Sequence, residues 1–556
     1  MADNNFSITI DKMYTGLAPL AFYNSLTEIG ASGMASVMTN CDCIGDTLTQ
    51  GPALSNLTAG TQAGAVTELI QFIMDKAVAD NVTYAIGTTK LFKLSATAVT
   101  SDATWPHAIT NCTDGESIQV LKGNLYYFYN KSSGGDIGKY NLDATFIENW
   151  GSSVPTGAAA LQKAPHPSDK KEDIILFGNG RYVGTYIAET NTLAPTKLDF
   201  GADMEVADVL YNAGQWYIAV NSGVTGTNRT EGQIYTYAGD ATPTILSDET
   251  GVGNQRIGFL YRINGIIYVA YQDLSSTGFI IGYIAGSQIK PLGRFTGTLP
   301  NFQQKTLYKN TIMFLSSGLV YSAGALVDTL PFQLSQHADG GYATCGAIAA
   351  PFGTPMIAST DGGTNFRLAK FSGYDTACSW KSIVFPVSNA RVKGIIDNVV
   401  VLTKTLGASA RCDLTIEADQ GAFTSSVKQI TVLTNTTTKR KVVSNVATLT
   451  TASNHSYSVG DVVIISGVTD VTYNGTVTIT ATPSLTTFSY ALTHANEAEV
   501  ADTGGSVIQG KRKHIFTNFG LLAIEDFRVA LDFSNGNATN DCAIRSIKVN
   551  GHFSDD

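Results

Sequence analysis

A chain of 556 residues is longer than one compact core supports, so two or more domains are expected. Its 54 Gly, 24 Tyr and 25 Phe, with a visible excess of Thr, Ser and Asn, suit short strands joined by tight turns, an all-β composition. A formal net charge of −10 argues against a sequence-independent grip on phosphate backbones, and no sequence-specific nucleic-acid partner is expected. Charged residues make up 15%; such a low density often means a surface covered by partners, although a Thr/Ser/Asn-rich surface also stays soluble alone. No run of about 18 apolar residues occurs, so no membrane-spanning helix is expected. The opening Met1-Ala2-Asp3-Asn4-Asn5 carries an acid and no apolar segment, which reads as a protein made and kept in a cytosol unless released by lysis.

Residues 1–60 read as an irregular arm: Leu17-Ala18-Pro19-Leu20-Ala21-Phe22, Gly30-Ala31-Ser32-Gly33, then Leu48-Thr49-Gln50-Gly51-Pro52-Ala53-Leu54. Such a segment makes no core of its own, so it is expected to lie over other parts of the protein or a neighbouring subunit. Leu17, Leu20, Phe22 and Leu54 are the candidate subunit contacts. Between Gly64 and Ala79 the apolar Val66, Leu69, Ile70, Ile73 and Met74 fit one helical face, but a strand is favoured because a blade is needed there.

From Phe92 to Ile357 one event recurs: an apolar strand, a turn of Gly or Asn type, and a second strand led by an apolar residue. The turns are Gly87-Thr88-Thr89-Lys90, Gly123-Asn124, Gly178-Asn179-Gly180, Asn212-Ala213-Gly214, Asn264-Gly265, Lys309-Asn310 and Gly353-Thr354. A mean spacing of about 44 residues matches one four-stranded propeller blade, which predicts a β-propeller of about seven blades over residues 61–385. Near Pro386 longer alternating strands begin. Residues 386–433 and 511–556 are read as a discontinuous β-sandwich, with Gln429–Val432 and His514–Phe516 as neighbours in one sheet. Residues 434–510, with turns at Gly460-Asp461, Asn474-Gly475 and Pro483-Ser484, read as a small barrel-like module inserted in a sandwich loop. Two basic triplets, Lys439-Arg440-Lys441 and Lys511-Arg512-Lys513, are placed at its junctions, as solvated charge or as a partner-docking patch.

Little chemistry is visible. The seven cysteines are scattered without a C-x-x-C pair and read as reduced, buried thiols. His107, His166, His337, His455, His494, His514 and His552 show no paired spacing, and neither a G-x-S-x-G elbow nor a Walker loop occurs. No enzyme, cofactor or metal is therefore expected. Trp216 reads as packing between blades, whereas Trp150, in Asn149-Trp150-Gly151, reads as a surface ring able to meet a partner or sugar.

Ser359-Thr360-Asp361-Gly362-Gly363-Thr364-Asn365-Phe366 resembles the Asp-box of sialidase-like propellers, a hairpin device that lies away from catalysis. Two other stretches resemble virion proteins of tailed bacteriophages. Leu17–Leu20, Ala35–Asp42 and Leu48–Leu54 are similar to the start of tail propellers of the nozzle type; Ser458–Val468, Tyr473–Thr476 and Thr487–Tyr490 are similar to a small β-module found in phage tail and fibre proteins. The resemblance implies a structural tail component located in the virion. Its partners would be copies of itself in a ring and adaptor, fibre or tail-tube proteins. The rival expectation is a glycan-binding receptor-recognition protein of the virion, or a lectin-like propeller.

Overall fold

The computed structural model describes the chain apart from residues 1–4, 12–34, 45–46, 58–65, 79–80, 143–144, 223–230, 240–242, 248–254, 274–276, 310, 325–332, 339–343, 361–364, 376–377, 388–392, 405, 408, 432–433, 456, 510–512, 522, 535, 537–538, 540 and 554–556. It is almost entirely β. Two compact units divide it, one built on residues 54–372 and the other on the N-terminal strands together with residues 373–556.

The first unit is a seven-bladed propeller. Its blades begin with the strands Ile70–Ile73, Asp114–Leu121, Ser168–Lys171, Met204–Asn212, Gln255–Ile263, Lys305–Tyr308 and Thr344–Ala349. These first strands lie side by side all the way round, the seventh against the first, so they form the inner wall. Strand direction reverses at turns that need positive φ at both central residues: Lys122-Gly123, Ala213-Gly214, Asn264-Gly265 and Ser317-Gly318 all meet this. In the first blade the turn at Gly87–Lys90 joins the second and third strands, because Ile70–Ile73 already supplies the first.

A bulge recurs in the inner strand of five blades, at Gln71, Glu116, Ala207, Gly258 and Gly346. Extra twist at one level of the wall lets neighbouring blades close together. The approach is close at Gly346, where an added Cβ would lie 2.3 Å from the Ile70 carbonyl oxygen of the next blade.

The seventh blade is completed by the N-terminal segment: Leu54–Asn56 pairs antiparallel with Ala369–Phe371. Leu54 packs against the cluster holding Tyr308, Ile348 and Phe371. It is a contact inside the chain, and its reading as a subunit contact is corrected accordingly. Leu17, Leu20 and Phe22 lie outside the described residues.

The rest of the expected arm is sheet. Asn5–Ile10 pairs with Ile547–His552, Cys41–Ile44 with Thr47–Gln50, and Ala35–Thr39 with Ser379–Ser382. One sandwich layer contains Asn5–Ile10, Cys41–Ile44, Thr47–Gln50, Ile544–Phe553, Gly394–Thr403 and Lys513–Thr517; the other is built on Ala35–Thr39, Ser379–Ser382, Asp526–Asp532 and Arg411–Ala418. Alternation is strict in Arg411–Ala418, where Cys412, Leu414, Ile416 and Ala418 face a core shared with Ile10, Leu48 and Val549. The N-terminal strands have their core after all, supplied by residues from Cys378 onward. The sandwich therefore begins at Gly373 on its C-terminal side, ahead of Pro386, since Ser379–Ser382 and Phe385–Pro386 both pair with Asp526–Asp532. Lys428–Thr431 and Lys513–Thr517, expected as neighbours, pair instead with Arg411–Leu414 and Asn398–Leu402, in opposite layers.

Between them, strands from Thr434 to Gln509 pair only with one another among the described residues. Six close into a barrel through pairing of Thr434–Val443 with both Val446–Thr451 and Ser506–Gln509. Its core includes Val442, Leu449, Val463, Tyr473, Phe488 and Tyr490. The sandwich is thus the host of two insertions, the propeller and the barrel.

Candidate functional site

The C-terminal ends of the propeller's inner strands surround a central cavity of about 580 Å³. The inner strands of the first six blades contribute residues to it, and the seventh blade contributes Ala350 and Gly353 just past its inner strand. Charged groups there are Asp75, Lys76, Asp169, Lys170, Asp208, Arg262, Lys305 and Lys309.

One group of these ties three blades together. Asp208, on the fourth blade, accepts hydrogen bonds from the Val209 amide at 2.9 Å and the Leu260 amide of the fifth at 2.7 Å. Lys305, on the sixth, pairs with the same carboxylate and donates to the Leu260 carbonyl at 2.7 Å. Burial pushes the Asp208 carboxyl up, and Lys305 with the two amides opposes this. Removing one partner of a pair this enclosed costs about 3–5 kcal/mol.

Asp169 makes a similar bridge, accepting from its neighbour Lys170 at 2.8 Å and from the Tyr211 amide of the next blade at 2.7 Å. Burial raises its carboxyl to about 6. Arg262 donates to the Tyr211 carbonyl at 2.6 Å, and Lys170 to the Val120 carbonyl. Sequence reading missed this site because its members are charged residues scattered over five blades. What marks them is that each lies in, or just past, the first strand of its repeat.

The other end of the inner wall holds Glu116, whose Oε1 accepts from Asn130 at 2.7 Å. Burial raises this carboxyl to about 8, and Asp114 and Glu205 add to the shift. His166, fully buried between Phe128 and the Gly178 carbonyl at 2.8 Å, is pushed down to about 4 by burial.

The other expected site residues fall elsewhere. Trp150 is 1% exposed and opens a single-turn helix, Trp150–Ser153. Its ring lies 5.0 Å from that of Tyr126 on the second blade and 4.8 Å from that of Tyr186 on the third. The linker between those blades turns the ring inward, so Trp150 is an inter-blade packing residue like Trp216, and its surface reading is corrected.

Lys439, Arg440 and Lys441 lie within the strand Thr434–Val443 of the barrel, past its junction. Arg440 donates through Nε and Nη2 to Glu497 at 3.2 and 3.1 Å, pairs with Asp502, and lies over the Tyr473 ring. These bonds hold the Glu497 carboxyl below its usual range. Lys439 pairs with Glu499 at 2.7 Å in an exposed bridge of little energetic weight. Lys513 begins an exposed sandwich strand, while Lys511 and Arg512 lie outside the described residues. The structure places Arg440 in a neutralised framework, which leaves the first triplet with little free charge for docking. The Asp-box residues Asp361–Thr364 also lie outside the described residues; Ser359 and Phe366 sit on the two strands that flank them.

Neither a protein-family profile nor a curated protein matches the sequence. Among solved structures, the chain is similar to the extracellular domain of a protein described as a one component system from B. thetaiotaomicron, at 12% identity and a TM-score of 0.41, over 68% of this chain and 46% of that one. It spans a little under half the length of that neighbour. It is also similar to the AfRom2 CNH domain, at 9% identity and a TM-score of 0.39, over 58% of this chain and 100% of that one. The N-terminal domain of Nup159 is a third, at 8% identity and a TM-score of 0.36, over 59% of this chain and 96% of that one.

Proposed function

We propose that the protein is a structural component of a bacteriophage virion tail, at a nozzle, tail tip or fibre-attachment ring, and that it works by subunit contacts rather than by turnover. The observation that carries this reading is the mounting of two self-closed β modules in one sandwich. The barrel strands pair only with one another among the described residues, the propeller closes its ring through Leu54–Asn56 on the seventh blade, and each module enters and leaves through sandwich strands. Closed β modules of this kind suit a part that presents loops to neighbours.

The phage-like residues support the reading because they make up a folding unit. Gly460-Asp461 turns into the strand Val462–Ser466, and Tyr490 donates to the Tyr473 carbonyl at 2.9 Å inside the barrel core. The barrel also exposes Val459, Val471 and Leu485 by 63%, 75% and 70%, apolar area suited to a contact.

The partners proposed are further copies in a ring and adaptor, fibre or tube proteins. Mass spectrometry of purified particles tests the proposal: the protein should be present at a fixed ratio to the known tail proteins. Absence from particles, combined with selective binding of the isolated protein on a glycan array, would transfer the assignment to a receptor-binding lectin.

A further inference from the structure

The central cavity carries a charge opposite to that of the molecule. The chain has a formal net charge of −10, yet the cavity wall carries Lys76, Lys170, Arg262, Lys305 and Lys309 against Asp75, Asp169 and Asp208. Two of those three carboxylates are already engaged by protein groups. Asp208 is held by Lys305 and two amides, and Asp169 by the amides of Lys170 and Tyr211. That leaves the exposed Asp75 as the carboxylate beside the Lys76 and Lys170 ammoniums.

Lys76 and Lys170 also repel one another: burial and the Lys76 charge hold the Lys170 ammonium below its usual range, against attraction from Asp75 and Asp169. A cleft with low-dielectric walls and one predominant sign concentrates counter-ions. The wall includes Gln119, Ser168 and Thr306 as polar partners and Phe72 and Phe302 as apolar faces. Such a mixture, at this volume, is what small-molecule sites have.

We propose that the propeller cavity binds a small oxyanion, a phosphate- or carboxylate-bearing molecule of about monosaccharide size, with the Lys76 and Lys170 ammoniums on its charged group. The inference stands on the cavity alone and does not depend on the tail assignment.

Isothermal titration of the full chain at low ionic strength tests it, with inorganic phosphate, glucose 6-phosphate and glucuronate as probes and glucose as the neutral control. At least one anion should bind in the millimolar range or tighter, and glucose should not. Preference between glucose 6-phosphate and glucuronate distinguishes phosphate from carboxylate as the recognised group. The double variant K76Q/K170Q should weaken binding about tenfold or more, which is about 1.4 kcal/mol. Both lysines are exposed, so the variants should stay folded; K170Q also loses the bond to the Val120 carbonyl, and K76Q provides a folded sample that keeps it. No heat with any of the anions, equal affinity in the folded variants, or equal binding of glucose would overturn the proposal.

Discussion

Glu116 shows how one residue of the inner wall sets a pH dependence. Its carboxyl ionises near 4.5 when exposed and near 8 in the fold, because burial disfavours the charged form. Between those values the folded state binds more protons than the unfolded state, so stability falls as pH rises through the window; below the lower value the difference vanishes. Glu116→Gln keeps an acceptor for Asn130 and cannot ionise. Calorimetry should show Tm unchanged at pH 4 and raised by about 2 °C or more at pH 8.5. An equal shift at both values would rule this cause out. Trp150 offers a second test at this scale. Trp150→Ala should cost about 3–5 kcal/mol in denaturant unfolding, as for a core tryptophan, whereas a surface ring would cost well under 1 kcal/mol. Its burial was not legible in Asn149-Trp150-Gly151, since a linker residue's environment is decided by the blades on either side and not by its own neighbours in sequence.

The elements divide according to how local their cause is. Turns at Asn264-Gly265 or Ala213-Gly214 were legible because positive φ selects the residue types, and the repeat that follows from them gave the propeller. Pairings across hundreds of residues were not legible. Asn5–Ile10 and Ile547–His552 find one another through a shared core that neither strand's pattern names. For the same reason a segment without a visible core, residues 1–60, read as an arm when most of its described residues are sandwich strands. Truncating residues 1–56 should therefore give an insoluble protein or one without a cooperative transition, since both the sandwich core and the seventh blade lose strands. A soluble truncated chain that unfolds cooperatively would contradict these pairings. The barrel was legible because all its partners lie inside one stretch. Replacing residues 434–510 with a short Gly/Ser turn should leave a remainder with a single, little-shifted unfolding transition by circular dichroism. Aggregation of that remainder would mean the barrel and sandwich share one core, for which Ile508, packed against the sandwich core, is the point of contact.

At the scale of the whole molecule, one sandwich accepts two insertions. Each can then vary in its loops without disturbing the host core, which is how a fold carries more than one set of contact loops. The inner-wall site shows the limit of sequence reading here. Asp169, Asp208, Lys170 and Lys305 are ordinary surface charges until the ring closes and sets them around one axis. The functional account rests on the chain acting as a fixed part of a particle. Electron-microscopic reconstruction of assembled tails tests this most directly. The account predicts propeller-shaped density repeated with the symmetry of the tail, with sandwich and barrel attached to each copy. A stable monomer that is missing from every reconstructed particle and that cleaves a polysaccharide in solution would contradict it.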